Sequence, residues 1–260
     1  MDVVKINIYG KTAFFKKPEV NTYRYLTYGQ LHKVALMGIF GCILGLNGYG
    51  QQGDKVYPEF YEKLKDIKVS IVPISPAKTG GFSKKIQQFN NSVGYASKEE
   101  GGNLIVTEQW LENVSWEVYI LCNNDISNKL KDALLGKNTV YIPYLGKNDH
   151  VANISSIEVY KGVETQDVSY ISTLDSLFLK DCVNIKKLIK PNGFRPVKAA
   201  PSCGLEKMRE YVYQEFLPYA LEPKFNTYDT RKFICTNKSI EVNDKESIIY
   251  SINDKNLFFY

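Results

Sequence analysis

Lys16 and Lys17 stand in a loop, Phe14 to Tyr23, that also carries the polar side chains of Asn21 and Thr22. The loop leads into an apolar, glycine-rich run from Val34 to Gly48. Thr27-Tyr28-Gly29-Gln30 has the spacing of a capping box, in which the Thr27 hydroxyl takes the Gln30 amide and the Gln30 side chain reaches back. A helix is therefore expected to open at Thr27. The first amides of a helix have no intrahelical partner and carry partial positive charge. A phosphate could sit there with the two lysines neutralising it; the alternative is that the capping box and water satisfy those amides. Tyr23, Tyr25 and Tyr28 offer faces for unpaired bases, worth roughly 1–3 kcal/mol per base, or else contribute to the core.

Two later groups have similar chemistry. Phe82 and Phe89 with Lys84, Lys85 and Gln88 combine an apolar wedge with phosphate contacts, or form a solvated basic hairpin. Lys147, Asn148 and His150 leave an expected strand end, where loops commonly carry binding groups.

The elements that must position these residues follow from periodicity. Val3 to Tyr9 alternates as a half-buried strand. The helix after the basic loop presents Leu31, Ala35, Gly38, Cys42 and Gly45 on one stripe, small enough for close approach to a sheet. A short helix is expected over Glu59 to Leu64 and a strand over Ile67 to Ile74. Phe82 to Tyr95 and Leu104 to Trp110 are two extended arms joined by a charged, glycine-bearing turn, a long protruding hairpin. Trp116 to Cys122 is a further strand, Asp125 caps a helix to Leu135, and Thr139 to Leu145 is a strand. The order β-α-β-(hairpin)-β-α-β predicts an α+β fold, a ferredoxin-like (RRM-type) antiparallel sheet domain over 1–163 with the hairpin inserted at about 78–110. Residues 164–260 form a smaller, mostly β region. There, Lys186 to Gly204 is an irregular connection, Leu205 to Phe216 a helix, and 232–236, 239–242, 247–252 and 256–260 short antiparallel strands.

Composition narrows the function. The chain has 260 residues, 44% of them apolar, enough for a sizeable core. Its net charge of +5 is mild, but 19 Tyr and 13 Phe supply either stacking faces or a tyrosine-rich sheet. Five scattered cysteines with no CxxC pair, and only two histidines, argue against a structural metal. The run Val34 to Leu46, 13 residues, is short of the roughly 20 that span a bilayer. With no basic region before an apolar core at Met1, a soluble cytoplasmic protein without membrane partners is expected. Gly38, Gly41, Gly45 and Gly48 match neither GxGxxG nor a Walker loop, so no cofactor is expected.

The N-terminal strand, the Ala13-Phe14-Phe15-Lys16-Lys17-Pro18 loop, Thr22-Tyr23, Tyr28, the Gly38-Ile39-Phe40-Gly41-Cys42-Ile43-Leu44-Gly45 helix and the later Ile142-Pro143-Tyr144-Leu145-Gly146-Lys147-Asn148 occur in that order. This set resembles the CRISPR-associated Cas-five family, most closely its type I-B branch. The resemblance covers the first 150 residues or so. It implies a subunit of Cascade, the CRISPR RNA-guided surveillance complex for antiviral defence. Such a subunit binds the 5′ handle of crRNA on an RRM-like domain and meets the backbone and large subunits. Through the complex it also lies near the PAM of target DNA. The hairpin is then the family's thumb, and Tyr144 joins Lys147 and Asn148 as an expected RNA contact.

In the type I-C branch the protein itself cuts repeat RNA without metal, with a tyrosine, a lysine and a histidine. Tyr28 and His32 are four apart and would share a helix face, with Lys33 adjacent. A base there would take the 2′-hydroxyl proton and a cation would steady the phosphorane. The chain lacks the Lys-His pair of that branch, and in type I-B systems a separate ribonuclease makes the cut. The expected role is therefore non-catalytic RNA binding, with His32 and Lys33 as RNA contacts. A metal-independent endoribonuclease is the alternative.

Overall fold

The computed structural model describes residues 1–19, 23–90, 92–185, 210–244 and 247–260. Its first half contains β1 (Asp2–Ala13), α1 (Lys33–Leu44), α2 (Glu59–Leu64), β2 (Val69–Pro73), β3 (Ser83–Asn90), β4 (Ile105–Cys122), α3 (Asp125–Leu135) and β5 (Asn153–Tyr160). The second half is short strands: β6 (Phe178–Leu179), β7 (Val183–Ile185), β8 (Val212–Leu221), β9 (Tyr228–Thr236), β10 (Ile240–Val242), β11 (Ile248–Ile252) and β12 (Lys255–Phe259). The fold is α+β with antiparallel sheets.

The main sheet has the order β2-β4-β1-β5, every pair antiparallel, with β3 also on β4. Period-two alternation in β1 sends Val4, Ile6 and Ile8 to one face, into a cluster with Leu36, Met37, Phe40 and Ile43 of α1. That helix is apolar nearly all round because it is covered on several sides. The opposite face bears Val3, Val72, Tyr119 and Leu121, which pack under Tyr250, Ile252, Leu257 and Phe259 of the β11–β12 hairpin. Lys5, Glu117, Glu158 and Lys255 continue this cover as linked ion pairs. Side chains of the second half, Leu217, Phe233 and Phe178 among them, share the first core cluster.

The long hairpin is present, but its second arm and the strand expected from Trp116 are one element, β4, 18 residues long. β1 ends opposite Leu111, and beyond that point β4 runs out of the sheet paired to β3 from Ser83↔Glu112 to Asn90↔Ile105. At 3.4 Å per residue those eight pairs make an arm about 27 Å long. Tyr25 takes the edge that β1 vacates: its N–H donates to the Thr107 carbonyl, and Gln109 N–H donates to the Tyr25 carbonyl, both at 2.9 Å.

Several local expectations are corrected. The capping box at Thr27 does not form, and α1 begins at Lys33 with His32 as its N-cap. Thr27 Oγ1 instead accepts from Phe15 N–H, while Gln30 bonds Gly80 and Trp116, so these polar groups serve distant partners. Asn124, not Asp125, caps α3, in a reciprocal box with Ser127. Residues 139–145 form no strand; Val140 and Tyr141 N–H donate to the last carbonyls of α1, and the strand is β5 instead. Val212–Leu221 is strand where a helix to Phe216 was expected. The expected irregular connection, Lys186 to Gly204, and the start of that helix lie outside the described residues. The small-residue stripe of α1 does not face the sheet: Ala35, Gly38 and Cys42 line an open cleft.

Candidate nucleic-acid interface

The sequence-predicted residues fall into three places. The first is the base of the hairpin. Glu108, its side chain 6% exposed, accepts from Trp110 Nε1 at 2.7 Å and pairs with Lys147 at 3.3 Å. The Lys147 ammonium also lies 3.2 Å from Asp149 and 4.9 Å from the centre of the Phe89 ring. Trp110 meets His150 edge to face at 4.6 Å, and Lys85 sits 5.4 Å from the indole. His150 is buried, with Nδ1 2.6 Å from Thr12 Oγ1, and burial lowers its pKa. Gly146 makes this packing possible. Its φ is +88°, and a Cβ there would fall 2.0 Å from the Phe14 carbonyl oxygen.

Alternation along the hairpin separates two faces. Lys84, Ile86 and Gln88 are exposed on one; Lys85 and Phe89 turn to Trp110 and Lys147 on the other. Phe82 is not a wedge: it is buried 4.9 Å from Trp116 in the core. Tyr144 is partly exposed and bridges Val151, and Asn148 is exposed.

The second place is the basic loop. Phe14 and Phe15 are buried, and residues 15–17 run beside 26–28 through the Lys17 N–H to Leu26 carbonyl and Tyr28 N–H to Phe15 carbonyl bonds. Lys16 is exposed with its ammonium 3.8 Å from the Tyr25 ring centre. Lys17 is committed elsewhere, 3.2 Å from Glu215, whose carboxylate also accepts from Gly29 N–H and the Tyr213 hydroxyl. Tyr23 is 86% exposed. Asn21 and Thr22 lie outside the described residues.

The third place is buried. His32 packs edge-on against Phe15, Tyr28 and Tyr228, and its Nδ1 accepts from Ala35 N–H. Burial drops its pKa to about 3 and pushes Tyr28 up to about 12. Lys33 is also buried, 5.2 Å from the Tyr219 ring, and burial with the nearby Lys68 lowers its pKa to about 8. Tyr28 and His32 come together in a buried ring cluster, while the Lys33 ammonium lies at Tyr219 instead, which corrects the reading of these residues as one surface group.

Between the basic loop and residues 141–146 lies a cleft of about 570 Å³ over α1, walled by Tyr49, Tyr141, Tyr144 and Tyr228. Sequence reading missed it, along with Glu108 and Trp110. The signal for the cleft was the glycine stripe, which was assigned to sheet packing.

No protein-family model matches the chain, and no curated protein sequence does. The solved structures it resembles include CRISPR-associated proteins and chains of CRISPR complexes. A chain of a CRISPR RNA-guided surveillance complex matches 93% of this chain and 91% of its own length, at 12% identity and a TM-score of 0.50, a shared fold. A CRISPR protein from Archaeoglobus fulgidus matches 99% of this chain and 98% of its own, at 10% identity and 0.46. A chain of the type III-B Cmr-beta complex bound to cognate target RNA and AMPPnP matches 91% and 85%, at 12% identity and 0.47.

Proposed function

We propose that this chain is a non-catalytic RNA-binding subunit of a type I-B Cascade complex in the cytoplasm. It would hold the 5′ handle of crRNA and join the backbone and large subunits, close to the PAM of target DNA. The observation that carries the reading is the fold shared over nearly the whole chain with a chain of an RNA-guided surveillance complex. The strand order β2-β4-β1-β5, with α1 and α3 as connections, supports the reading of a ferredoxin-like, RRM-type domain. The face on which RRM sheets commonly stack bases is covered here by the β11–β12 hairpin. RNA is therefore better received along the hairpin, by Lys84 and Gln88, and beside the basic loop, by Lys16 and Tyr23.

The state of His32 supports the non-catalytic reading over the endoribonuclease alternative. A buried imidazole whose pKa is about 3, with Nδ1 already bonded to Ala35 N–H, is a poor proton acceptor and donor near neutral pH. The test is 5′-labelled CRISPR repeat RNA incubated with the protein in EDTA, read on native and denaturing gels. A retarded, intact RNA is expected, with co-purification of the backbone and large subunits. A discrete product that disappears in His32→Ala would overturn the non-catalytic assignment.

A further inference from the structure

We infer that the cleft over Gly38 receives the base of an unpaired nucleotide, an inference that rests on the RNA-binding reading above. Helix α1 contains three glycine positions at or within its end, and folding accounts for two. A Cβ on Gly41 would fall 2.6 Å from Phe60 Cβ, so α1 and α2 could not pack as they do. Gly45 closes the helix with φ +71° against Val140. Gly38 lies in mid-helix, and a Cβ there would meet nothing within 4 Å. Alanine would favour the helix by about 1 kcal/mol, so the fold alone gives no reason for glycine. The unfilled space above its backbone is the floor of the cleft.

A flat ring fits this space. Tyr49 and Tyr141, 52% and 59% exposed, stand at its walls with Tyr144 and Tyr228, and the side-chain amide of Gln51 lies among the lining groups. Aromatic faces and amide hydrogen-bonding groups are what a splayed base uses. Among the described residues no carboxylate lines the cleft and Lys16 supplies the one full charge, which favours a phosphate-bearing ligand over a basic or purely apolar peptide. The volume lies within the usual range for small-ligand sites, about 300–1,000 Å³.

The test pairs an abasic scan with a substitution. RNA carrying the repeat-derived 5′ handle is made with each handle nucleotide in turn abasic, and affinity is measured for the native protein and for Gly38→Leu. One abasic position is expected to weaken native binding by about 5- to 150-fold, the range set by stacking one base. Gly38→Leu is expected to lose a similar factor with intact RNA, to be indifferent to that same abasic position, and to melt no lower than the native protein. Tyr141→Ala, which alters an exposed wall, should reproduce the coupling even if the leucine variant folds poorly. Native affinity with no sensitive position, or a sensitive position uncoupled from both substitutions, would overturn the inference while leaving RNA binding intact. A flat scan combined with lost subunit assembly would assign the cleft to protein and overturn it too. Failure of the native protein to bind handle RNA at all would overturn the underlying reading as well.

Discussion

Lys147 reaches back 39 positions to Glu108, and this 3.3 Å pair ties the loop after Gly146 to the root of the hairpin. Glu108 is the inner partner, since it also takes the Trp110 N–H. Breaking a buried pair from one side leaves the other group unsatisfied. Glu108→Ala leaves the Trp110 indole N–H without its acceptor while the Lys147 ammonium keeps Asp149, so a loss of about 1–3 kcal/mol is expected. Lys147→Ala leaves the buried Glu108 carboxylate with the Trp110 N–H but without this counter-charge, and should cost at least as much. Hydrogen exchange should show Glu108→Ala opening the amides of 105–110 well before those of 116–122; uniform exchange across β4 would mean that the pair does not hold the hairpin.

The buried His32 gives stability a pH dependence of defined sign. Its usual pKa of 6.5 applies to the unfolded chain, and about 3 to the folded one. Above pH 6.5 it is neutral in both states and costs nothing. As pH falls below that value the unfolded chain takes a proton that the folded chain refuses, and stability drops, by about 2 kcal/mol at about pH 5. Burial of His150 acts in the same direction. His32→Asn keeps an N-capping side chain without the titration. Its deficit in urea unfolding, measured against the native protein, should narrow by about that amount between neutral pH and about pH 5. A constant difference would show that His32 takes up its proton in the folded state.

What could be read from sequence was what local physics decides. The helix over Glu59–Leu64, the hairpin and the C-terminal strands β9 to β12 have their own periodicity and turn residues, and they stand where expected. Thr27 and Gln30 misled because their spacing mimics a cap while their partners are Phe15, Gly80 and Trp116. A strand was expected over 139–145, but the amides of Val140 and Tyr141 bond the end of a helix. The same limit governs the site. Lys17 looked equivalent to Lys16 until Glu215, almost 200 positions later, proved to be its partner, and Phe82 looked equivalent to Phe89 until Trp116 covered it.

That difference between neighbouring lysines is measurable. Lys16→Glu with Lys84→Glu changes two exposed side chains and should leave the fold intact. The expected result is weaker binding for every RNA sequence, with the log–log salt slope reduced by about 0.7 per lost phosphate contact. Lys17→Glu instead sets a second carboxylate against Glu215 and should lower the melting temperature, which Glu215→Gln in the same chain should partly restore. An unchanged salt slope in the double variant would remove these two lysines from the RNA face.

Gly146 is where the loop carrying Tyr144, Lys147 and His150 turns onto the basic loop. Phe14 N–H donates to the Leu145 carbonyl at 3.0 Å, and Leu145 N–H to the His150 carbonyl at 2.7 Å. Any side chain at 146 would both strain a left-handed backbone and strike the Phe14 carbonyl oxygen. Gly146→Ala is expected to destabilise by about 2–4 kcal/mol, more than backbone strain alone. Because the displaced loop also carries Lys147, the hairpin-root amides should exchange faster in this variant, as is expected of Glu108→Ala. If Gly146→Ala and Glu108→Ala loosen the same amides and their combined effect falls short of the sum, the turn and the ion pair act as one device holding the hairpin. Strict additivity would separate them and leave Gly146 a purely local requirement.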